Sequence, residues 1–354
     1  MFRYPPKLCG GSVINRKGVC MKPFLTFIYM MGLKVKEMLY NLDILKLKTL
    51  PCKVISVGNL TVGGTGKTPV VEYVAKYLSK TRKVAILTRG YMREDNSAII
   101  DVKPDSNPID CGDEAVYLAR ETNLPVIVAV NRYSGGKYAM KKYETQFCVL
   151  DDGFQRRWSL YRNMEILVID ASNPFGNGKL IPSGILREPV KNIMAADIII
   201  ITKADDAENL SNLRSVINRW NDFADMVETV YEPKELYNVF DRNEKVPFSE
   251  VEGKKVFALS AVGNPKYFRK VISKLKPAST GWLSFTDHHA FSEADISGIN
   301  EKAGTSDIII TTEKDAIKLQ YLDKVKFTKK LLALRIELKF IAGEKDLQDK
   351  INIT

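Results

Sequence analysis

The sequence contains little that could crosslink the chain. Among its 354 residues there are five cysteines, an odd number, and no two of them have the CxxC spacing. A disulfide framework and a structural zinc site are therefore not predicted, and the chain is expected to be cytosolic with reduced thiols. The cysteines are Cys9, Cys20, Cys52, Cys111 and Cys148.

Long hydrophobic runs are also missing. The longest one near the start, residues 24–33, has ten residues, whereas about 20 apolar residues are needed to span a bilayer. Lys34 and Lys36 follow this run without a small-residue cleavage site, which argues against a secretory signal. Neither a membrane-spanning helix nor a cleaved leader is therefore predicted.

Positive charge is concentrated at the front of the chain. The formal net charge is +11, and residues 1–50 contribute +7 of it through nine basic and two acidic side chains. Such an excess indicates an anionic partner, either a membrane surface or nucleic acid. Because no nucleic-acid module and no basic stripe interleaved with aromatic residues occurs, no nucleic-acid partner is predicted.

The same region predicts an amphipathic helix, assigned to residues 21–50. Its apolar residues recur at steps of three and four, which places them on one helical face. Such a helix either lies in the lipid interface or packs on the protein's own core. The basic residues favour the membrane, since each is worth about 1 kcal/mol near an anionic leaflet. Residues 1–20 show no periodicity and are treated as an extension, with Met21 as an alternative start. The apolar residues are Phe24, Phe27, Ile28, Met31, Val35, Met38, Leu39, Leu42 and Leu45.

The body of the chain alternates apolar runs with helical stretches, for example 69–79 and 113–121. Continuous Val/Ile/Leu runs are typical of strands that are covered on both faces. The alternation predicts an α/β fold with a largely parallel sheet and helices on both sides. Residues 231–253, rich in charge, Pro and Asn, are the best candidate for a linker. The predicted strands are 54–57, 84–87, 126–130, 147–150, 166–169, 198–201, 256–259 and 308–311.

The strongest motif is a phosphate-binding loop. The predicted strand 54–57 runs into a glycine-rich stretch that ends in Gly66-Lys67-Thr68 and is followed by a helical segment. Backbone N–H groups of such a loop surround phosphates at a helix N-terminus, and Lys67 would reach the β- and γ-phosphates. The pattern GxxxxGK[ST] is met except that Thr61 replaces its first glycine. The predicted nucleotide-binding residues are Thr61, Val62, Gly63, Gly64, Thr65, Gly66, Lys67 and Thr68.

A second motif supports the first. The predicted strand 147–150 leads directly into Asp151 and Asp152. A hydrophobic strand that ends in aspartate is what a P-loop enzyme uses to hold Mg²⁺ or its waters. Together with the Thr68 hydroxyl, these two carboxylates are the predicted metal ligands.

Three further groups could line a site. Asp287 precedes His288 and His289, which are the two histidines of the chain, and an aspartate beside a histidine can tune it as a base. The Arg89-Gly90-Tyr91 segment follows a predicted strand, and the Arg187-Glu188 pair follows a Pro/Gly turn. Ligands bind at the carboxyl ends of strands in open α/β sheets, and arginine suits phosphate.

Two other functions are open on the motifs alone. Residues Thr202-Lys203-Ala204-Asp205 match the [NT]KxD pattern with which many GTPases read guanine, and Ser260-Ala261 resembles their last base-contacting motif. The second acidic motif, however, is DDGFQ rather than DxxG. A membrane-associated P-loop ATPase switch without lipid kinase activity is the other alternative, because it too would have a basic amphipathic helix.

Taken together, the segments resemble the tetraacyldisaccharide 4′-kinase family, the lipid A 4′-kinases of Gram-negative bacteria. The resemblance runs from about residue 24 to 315, and Thr61 is in keeping with it. It implies two α/β/α units, the larger a P-loop core, joined by a short two-stranded linker. The division expected is an extension (1–20), the helix (21–50), the P-loop kinase core (51–235), and a linker with a smaller α/β domain (236–354). The matching segments are VGNLTVGGTGKTP (57–69), TRGY (88–91), GDEA (112–115), LDDGFQRR (150–157), LREP (186–189), DHHAF (287–291) and TTEKD (311–315).

The resemblance also implies a reaction. ATP, with Mg²⁺, would phosphorylate the 4′-hydroxyl of a lipid A disaccharide 1-phosphate at the cytoplasmic face of the inner membrane, where the chain would be peripheral; no protein partner is implied. Asp113 would accept the proton of the hydroxyl, assisted by His288 in preference to His289, while Lys67 stabilises the charge on the phosphates. The residues implied to line the substrate or phosphate region are Arg89, Tyr91, Gln155, Arg187 and Glu188.

Overall fold

The computed structural model describes residues 16–91, 93–156 and 159–354, so most of the predicted extension lies outside the described residues. The helices are α1 (Arg16–Asn41), α2 (Lys67–Ser79), α3 (Pro108–Cys111), α4 (Asp113–Thr122), α5 (Arg132–Tyr143), α6 (Leu210–Trp220), α7 (Pro265–Ser273), α8 (Glu293–Ala303), α9 (Glu313–Leu319) and α10 (Glu344–Ile353). The strands are β1 (Lys53–Asn59), β2 (Val84–Thr88), β3 (Ile99–Val102), β4 (Val126–Ala129), β5 (Phe147–Asp151), β6 (Met164–Asp170), β7 (Ile198–Thr202), β8 (Asp225–Asn238), β9 (Asp241–Val246), β10 (Lys255–Ser260), β11 (Ser279–Ser284), β12 (Ile308–Thr312) and β13 (Lys330–Ala342).

These strands form one continuous sheet. Its order is β11-β10-β12-β13-β8-β7-β6-β1-β5-β2-β4-β3, with β9 paired to β8. All eight strands predicted from apolar runs are present, and strands β1, β5, β6 and β7 are buried along almost their whole length. The strands that the sequence did not reveal include β9 and β11, which are largely exposed edge strands. Such strands carry too few apolar residues to stand out as runs.

An antiparallel ribbon of β8 and β13 joins the two halves of the sheet. One half consists of β11, β10 and β12, and the other, the P-loop half, consists of β7, β6, β1, β5, β2, β4 and β3. Strand β8 starts parallel to β7, with Ile201 opposite Glu228, and then continues ten residues beyond the pairing. Strand β13 returns along it, from Leu332 opposite Asn238 to Ala342 opposite Glu228. Strands β10, β11 and β12 run parallel to β13. Their carboxyl ends therefore point back towards the carboxyl ends of β1, β5 and β7.

The ribbon changes the interpretation of residues 231–253. This stretch is not an irregular connection but contains the second half of β8 and the strand β9, and Leu236 and Tyr237 are buried within it although charged residues lie on both sides in the sequence. The expected boundary at 235/236 falls inside β8. The chain also returns to the P-loop half at its end, since Leu347 and Ile351 of α10 are buried in the same core as Val70 and Val74 of α2.

The predicted apolar face of helix α1 points away from the rest of the protein. It ends at Asn41, earlier than predicted, where Asp43 takes a left-handed backbone conformation with φ 55°. The predicted apolar residues up to Leu42 are exposed by 42–63%, apart from Leu39. Its other side contacts the protein through Thr26, Tyr29 and Lys36. Within the described part of the chain, none of the helices combines the length and the apolar character that crossing a membrane would require.

Candidate active site

The phosphate loop is held open by its neighbours. Asn59, at the end of β1, donates from Nδ2 to the Thr61 carbonyl at 2.9 Å and to Thr65 Oγ1 at 2.8 Å. Gly66 has φ 84° and precedes α2, so the loop turns directly into the helix N-terminus. The interior of the loop stays free of its own side chains, which is the geometry that phosphate-binding loops use.

Side chains from β7 and the ribbon fix the same loop from outside. Thr202 Oγ1 donates to the Thr65 carbonyl at 2.8 Å, and Lys203 Nζ donates to the Gly64 carbonyl at 2.8 Å. Tyr231 of β8 donates from its hydroxyl to the Gly66 carbonyl at 3.2 Å. These groups bind carbonyls and so occupy none of the loop's N–H groups. Two of those N–H groups donate within the protein, Val62 to the Ile185 carbonyl at 2.8 Å and Thr65 to the Gly63 carbonyl at 3.0 Å.

The loop lysine lies in a charged network with β5. Lys67 Nζ is 3.5 Å from Asp152 Oδ1. Arg187 binds the same carboxylate with two bonds, of 2.9 and 2.7 Å, and also donates to Asn59 Oδ1. Burial alone would raise the pKa of the Asp152 carboxyl, but Lys67 and Arg187 hold it well below its usual range. The network thus keeps two cations beside the loop.

Asp151 differs from its neighbour in lacking such compensation. Its Oδ2 accepts a hydrogen bond from Thr88 at 3.0 Å, whereas its Oδ1 is buried and has no hydrogen-bond partner among the described residues. Burial, with the charges of Glu114 and Asp152, raises the pKa of Asp151 to about 6. Burying a carboxylate oxygen costs desolvation free energy unless a cation or a hydrogen-bond donor binds it.

Asp113 and His288, 175 residues apart, lie side by side. His288 Nδ1 is 3.1 and 3.2 Å from the two carboxylate oxygens of Asp113. The hydrogen bond to Asp113 raises the pKa of His288. Burial alone would raise the pKa of Asp113, but His288, Lys314 and Lys318 hold it well below its usual range. The pair is therefore an ionised carboxylate that orients an imidazole.

The second histidine has a different environment. His289 stacks on Phe285, with ring centroids 4.4 Å apart, and contacts Asp295 Oδ2 at 3.2 Å. Asp295 caps helix α8. Of the two histidines, only His288 lines the central cleft.

The cleft itself is a cavity of about 460 Å³ between the two halves of the sheet. The whole phosphate loop lines it, together with His288, Asp151 and Asp152. Asp113 lies behind His288 and is 8% exposed. One group of lining residues, which begins at Tyr231 beside the loop, is largely apolar and suits the flat ring of a nucleotide base. The residues of that group are Tyr231, Tyr267, Phe268, Val271, Leu334 and Ile336.

The residues implied to line the substrate region do not all do so. Arg89, Tyr91 and Arg187 line the cleft, and Arg89 and Arg187 also line an adjoining cavity of about 210 Å³ with Gln155. Tyr91 lies 5.2 Å from the His288 ring, measured between centroids. Glu188 is 5% exposed, is bonded by Asn192, and is outside the lining of both cavities.

The TKAD segment is engaged in holding the structure together. Lys203 is bound to Asp170 as well as to the loop carbonyl of Gly64. Asp205 accepts a hydrogen bond from Tyr267 at 2.7 Å and an ion pair from Lys270 at 3.3 Å. The carboxylate that reads guanine in the GTPase pattern is thus already occupied.

Sequence reasoning missed several residues of the site. Asn59, Thr88, Tyr231 and Lys318 touch the loop or the carboxylates. Asn59 and Thr88 belong to matching segments and Lys318 follows one, whereas Tyr231 begins the stretch predicted as a linker; single polar residues at such places carry no signal by themselves. Their partners become known only when strands distant in sequence are adjacent.

A family model for tetraacyldisaccharide-1-P 4′-kinase matches residues 19–353. The chain belongs to this family. A tetraacyldisaccharide 4′-kinase of Halothermothrix orenii is 35% identical over 364 residues, covering 96% of this chain and 94% of the relative. That of Aquifex aeolicus is 32% identical, covering 91% of this chain and 95% of the relative.

The fold agrees with the family. The crystal structure of LpxK from Aquifex aeolicus in complex with ATP superposes with a TM-score of 0.71 at 31% identity, covering 94% of this chain and 97% of that one. The predicted tetraacyldisaccharide 4′-kinase family and the predicted α/β P-loop fold are thereby confirmed. So is the assignment to an enzyme family of kinases in lipid A biosynthesis.

The phosphate loop should not tolerate a side chain at Gly66. A Cβ there would overlap the Tyr231 hydroxyl, and the φ of 84° is strained for any other residue. We expect Gly66→Ala to weaken ATP binding by about tenfold or more, as one to three kcal/mol of strain predicts. Calorimetric titration with ATP measures this.

Gly253→Ala is the matched control. Gly253 has a similar φ of 72°, but no atom lies within 4 Å of a Cβ built there. Equal ATP affinities of the two variants would show that the overlap with Tyr231 has no effect on the loop.

Proposed function

We propose that the chain transfers the γ-phosphoryl group of ATP to the 4′-hydroxyl of a tetraacyldisaccharide 1-phosphate, the lipid A precursor. One observation carries the proposal. Lys67 of the phosphate loop and His288, with Asp113 behind it, lie on the walls of the same cleft although they belong to opposite halves of the sheet. A phosphate donor and a proton acceptor are thereby brought together, which is what transfer to an alcohol needs.

The nucleotide is proposed to lie along the length of the cleft. Its phosphates meet N–H groups of the loop, and Lys67 and Arg187 neutralise their charge. Both cations also face Asp152, which holds them beside the loop. Such preorganised cations stabilise charge in the transition state without a cost of reorientation at that moment.

Mg²⁺ fits the residues present. The Thr68 hydroxyl, Asp152 and the unpartnered Oδ1 of Asp151 offer the oxygen donors that Mg²⁺ prefers, with room for phosphate oxygens as further ligands. Bound there, Mg²⁺ would neutralise charge on the β- and γ-phosphates. Thr68 Oγ1 donates to Glu114 at 3.3 Å, which already orients its oxygen.

The Asp113–His288 pair is proposed to take the proton of the sugar hydroxyl as one unit. His288 lines the cleft, so its Nε2 is the nitrogen that Asp113 leaves unused. Asp113 holds the ring through Nδ1 and favours the protonated form of His288. The buried carboxylate thus supplies the basicity that an isolated aspartate, with an ordinary pKa near 3.9, lacks at neutral pH.

The assay that tests the function is transfer of label from radiolabelled ATP to a tetraacyldisaccharide 1-phosphate in mixed micelles. Asp113→Asn should lower kcat by about 10²–10⁴-fold, the contribution expected of general base catalysis. The KM for ATP should change little, because Asp113 does not line the nucleotide cavity.

Asp295→Asn provides the matched control, because it removes the same charge from the neighbouring His289–Asp295 pair outside the cleft. Its turnover should stay near that of the parent chain. Absence of transfer by the parent would reject the lipid kinase, and a parallel loss of ATP affinity in Asp113→Asn would reject the base role.

ATP should be preferred to GTP. Asp205, the carboxylate of the guanine-reading pattern, is bound by Tyr267 and Lys270 and is outside the lining of the cleft. In competition for binding, we expect a tenfold or larger preference for ATP, since one missing polar contact to a base is worth about 1–3 kcal/mol. A preference for GTP would favour the GTPase alternative.

We further propose that α1 attaches the chain to an anionic membrane surface, which would make it a peripheral protein of the cytoplasmic face of the inner membrane. Its exposed apolar residues face away from the protein, while Tyr29 and Lys36 on the opposite side donate to the carbonyls of Arg187 and Gln155 at 2.8 Å each. The membrane-binding face is therefore fixed beside the phosphate end of the cleft, where a lipid headgroup would enter.

Replacement of Phe24, Phe27 and Met38 by serine should abolish this attachment. Burial of each such side chain in the interface is worth about 1.5–3 kcal/mol, so co-sedimentation with phosphatidylglycerol-containing vesicles should fall at least a hundredfold. The control replaces three other exposed apolar residues, Phe223, Val325 and Ile353, which are 84–90% exposed. Equal vesicle binding by both triple variants would mean that α1 is not the contact.

A further inference from the structure

The reaction described above assigns no role to the segment TTEKD (311–315) or to Lys318, three residues after it. We propose that Asp315 and Lys318 are positioning residues for the Asp113–His288 pair, Asp315 by fixing the backbone that carries His288 and Lys318 by balancing the charge of Asp113. The proposal rests on the proposed function of that pair. Both residues belong to α9, in the half of the sheet opposite to Asp113.

Asp315 connects the end of β12 to the histidine loop. It is fully buried, and its Oδ2 accepts hydrogen bonds from the Ala261 N–H at 2.9 Å and from Thr312 Oγ1 at 2.8 Å. The carbonyl of Ala261 in turn accepts from the His288 N–H at 3.2 Å. Asp315 and the backbone N–H of His288 are therefore bound to the same residue, Ala261, from its two sides.

That support matters because His288 has an unfavourable backbone conformation. Its φ is 60°, in the left-handed region that residues with a side chain rarely adopt. Strained residues of this kind persist when the surroundings determine their position. The chain Asp315–Ala261–His288 is such a determinant, and it keeps Nδ1 directed at Asp113.

Lys318 acts on the other member of the pair. Its Nζ lies 3.4 Å from Asp113 Oδ2 and 3.5 Å from Asp315 Oδ1, and its side chain is 13% exposed. It makes no hydrogen bond within the described residues, so charge alone holds it between the two carboxylates. The ring of Phe291, 5.5 Å from Nζ, covers this position.

The charged groups around Asp113 show what Lys318 adds. His288 faces Asp113 from the histidine loop, and Asp287 acts on His288. Lys314, Lys318 and Asp315 face Asp113 from α9, and Glu114 from its own helix. Lys314 is paired with Glu114. Lys314 also acts on Asp113, but Lys318 is the cation that lies between Asp113 and Asp315, and without it the field of Asp113 at His288 would be stronger.

Histidine NMR tests this directly, because the two histidines of the chain are His288 and His289. In Lys318→Met, the titration midpoint of His288 should move up by about one pH unit, since the loss of a charge within 4–6 Å has this effect. The midpoint of His289 should not move and serves as the internal control. Lys318→Arg, which keeps the charge, should restore the parent midpoint.

Kinetics complete the test. Lys318→Met should lower kcat at neutral pH by about tenfold, as one unit of pKa implies, with an unchanged KM for ATP, and Lys318→Arg should recover most of it. Asp315→Asn should also lower kcat, and the titration midpoint of His288 in this variant should differ from that of the parent chain. If Lys318→Met does not fold, Lys318→Gln replaces it.

Two outcomes would overturn the proposal. An unchanged His288 midpoint in the neutral variants would show that Lys318 does not act on the pair, and equal losses in Lys318→Met and Lys318→Arg would indicate a packing role alone. The NMR readout involves no lipid, so it remains informative if the transfer assay gives no product. Failure of the positioning role and failure of the proposed function are thus separable.

Discussion

The antiparallel ribbon of β8 and β13 is the constraint on which the site depends. A sheet made only of parallel strands would place all its carboxyl ends at one edge, with one row of loops. Here β8 runs past the end of β7 and β13 returns along it, so the second set of parallel strands points back at the first. The phosphate loop after β1 and the His288 loop after β11 consequently face each other across one cleft.

Buried charge at the ribbon connects the two halves. Arg335 of β13 lies 2.6 Å from Glu121 of α4 and 3.3 Å from Glu72 of α2, and Arg242 of β9 is also paired with Glu121. Burial raises the pKa of Glu313, at the start of α9, well above its usual range. Removing one partner of such a cluster is costly because it leaves a buried charge without compensation. Glu313 immediately precedes Lys314 and lies on the same helix as Lys318, so the cluster ties the geometry of α9 to that of the P-loop half.

Much of the P-loop half was predictable because its signals are local. The strands β1, β5, β6 and β7 are buried on both faces and therefore read as continuous apolar runs, and the loop Gly66-Lys67-Thr68 requires its residues in one short segment. The ribbon was not predictable in the same way. The middle of β8 and the second half of β13 are only partly buried. The charged residues of 231–253 suggested a linker, and α10 carries nothing that indicates its return to the core of α2.

The sequence by itself determined the fold class, the phosphate loop and, through segments spread over the chain, the family. The family resemblance, rather than any spacing, is what linked Asp113 to His288. The tertiary structure alone decided which histidine faces the cleft, that Glu188 and the TKAD residues are turned to other partners, and that the apolar face of α1 is exposed. The physical reason is that a side chain's partner is fixed by contacts that form only in the folded chain, such as those of α1 with Arg187 and Gln155 and that of His288 with Asp113 across the two halves of the sheet.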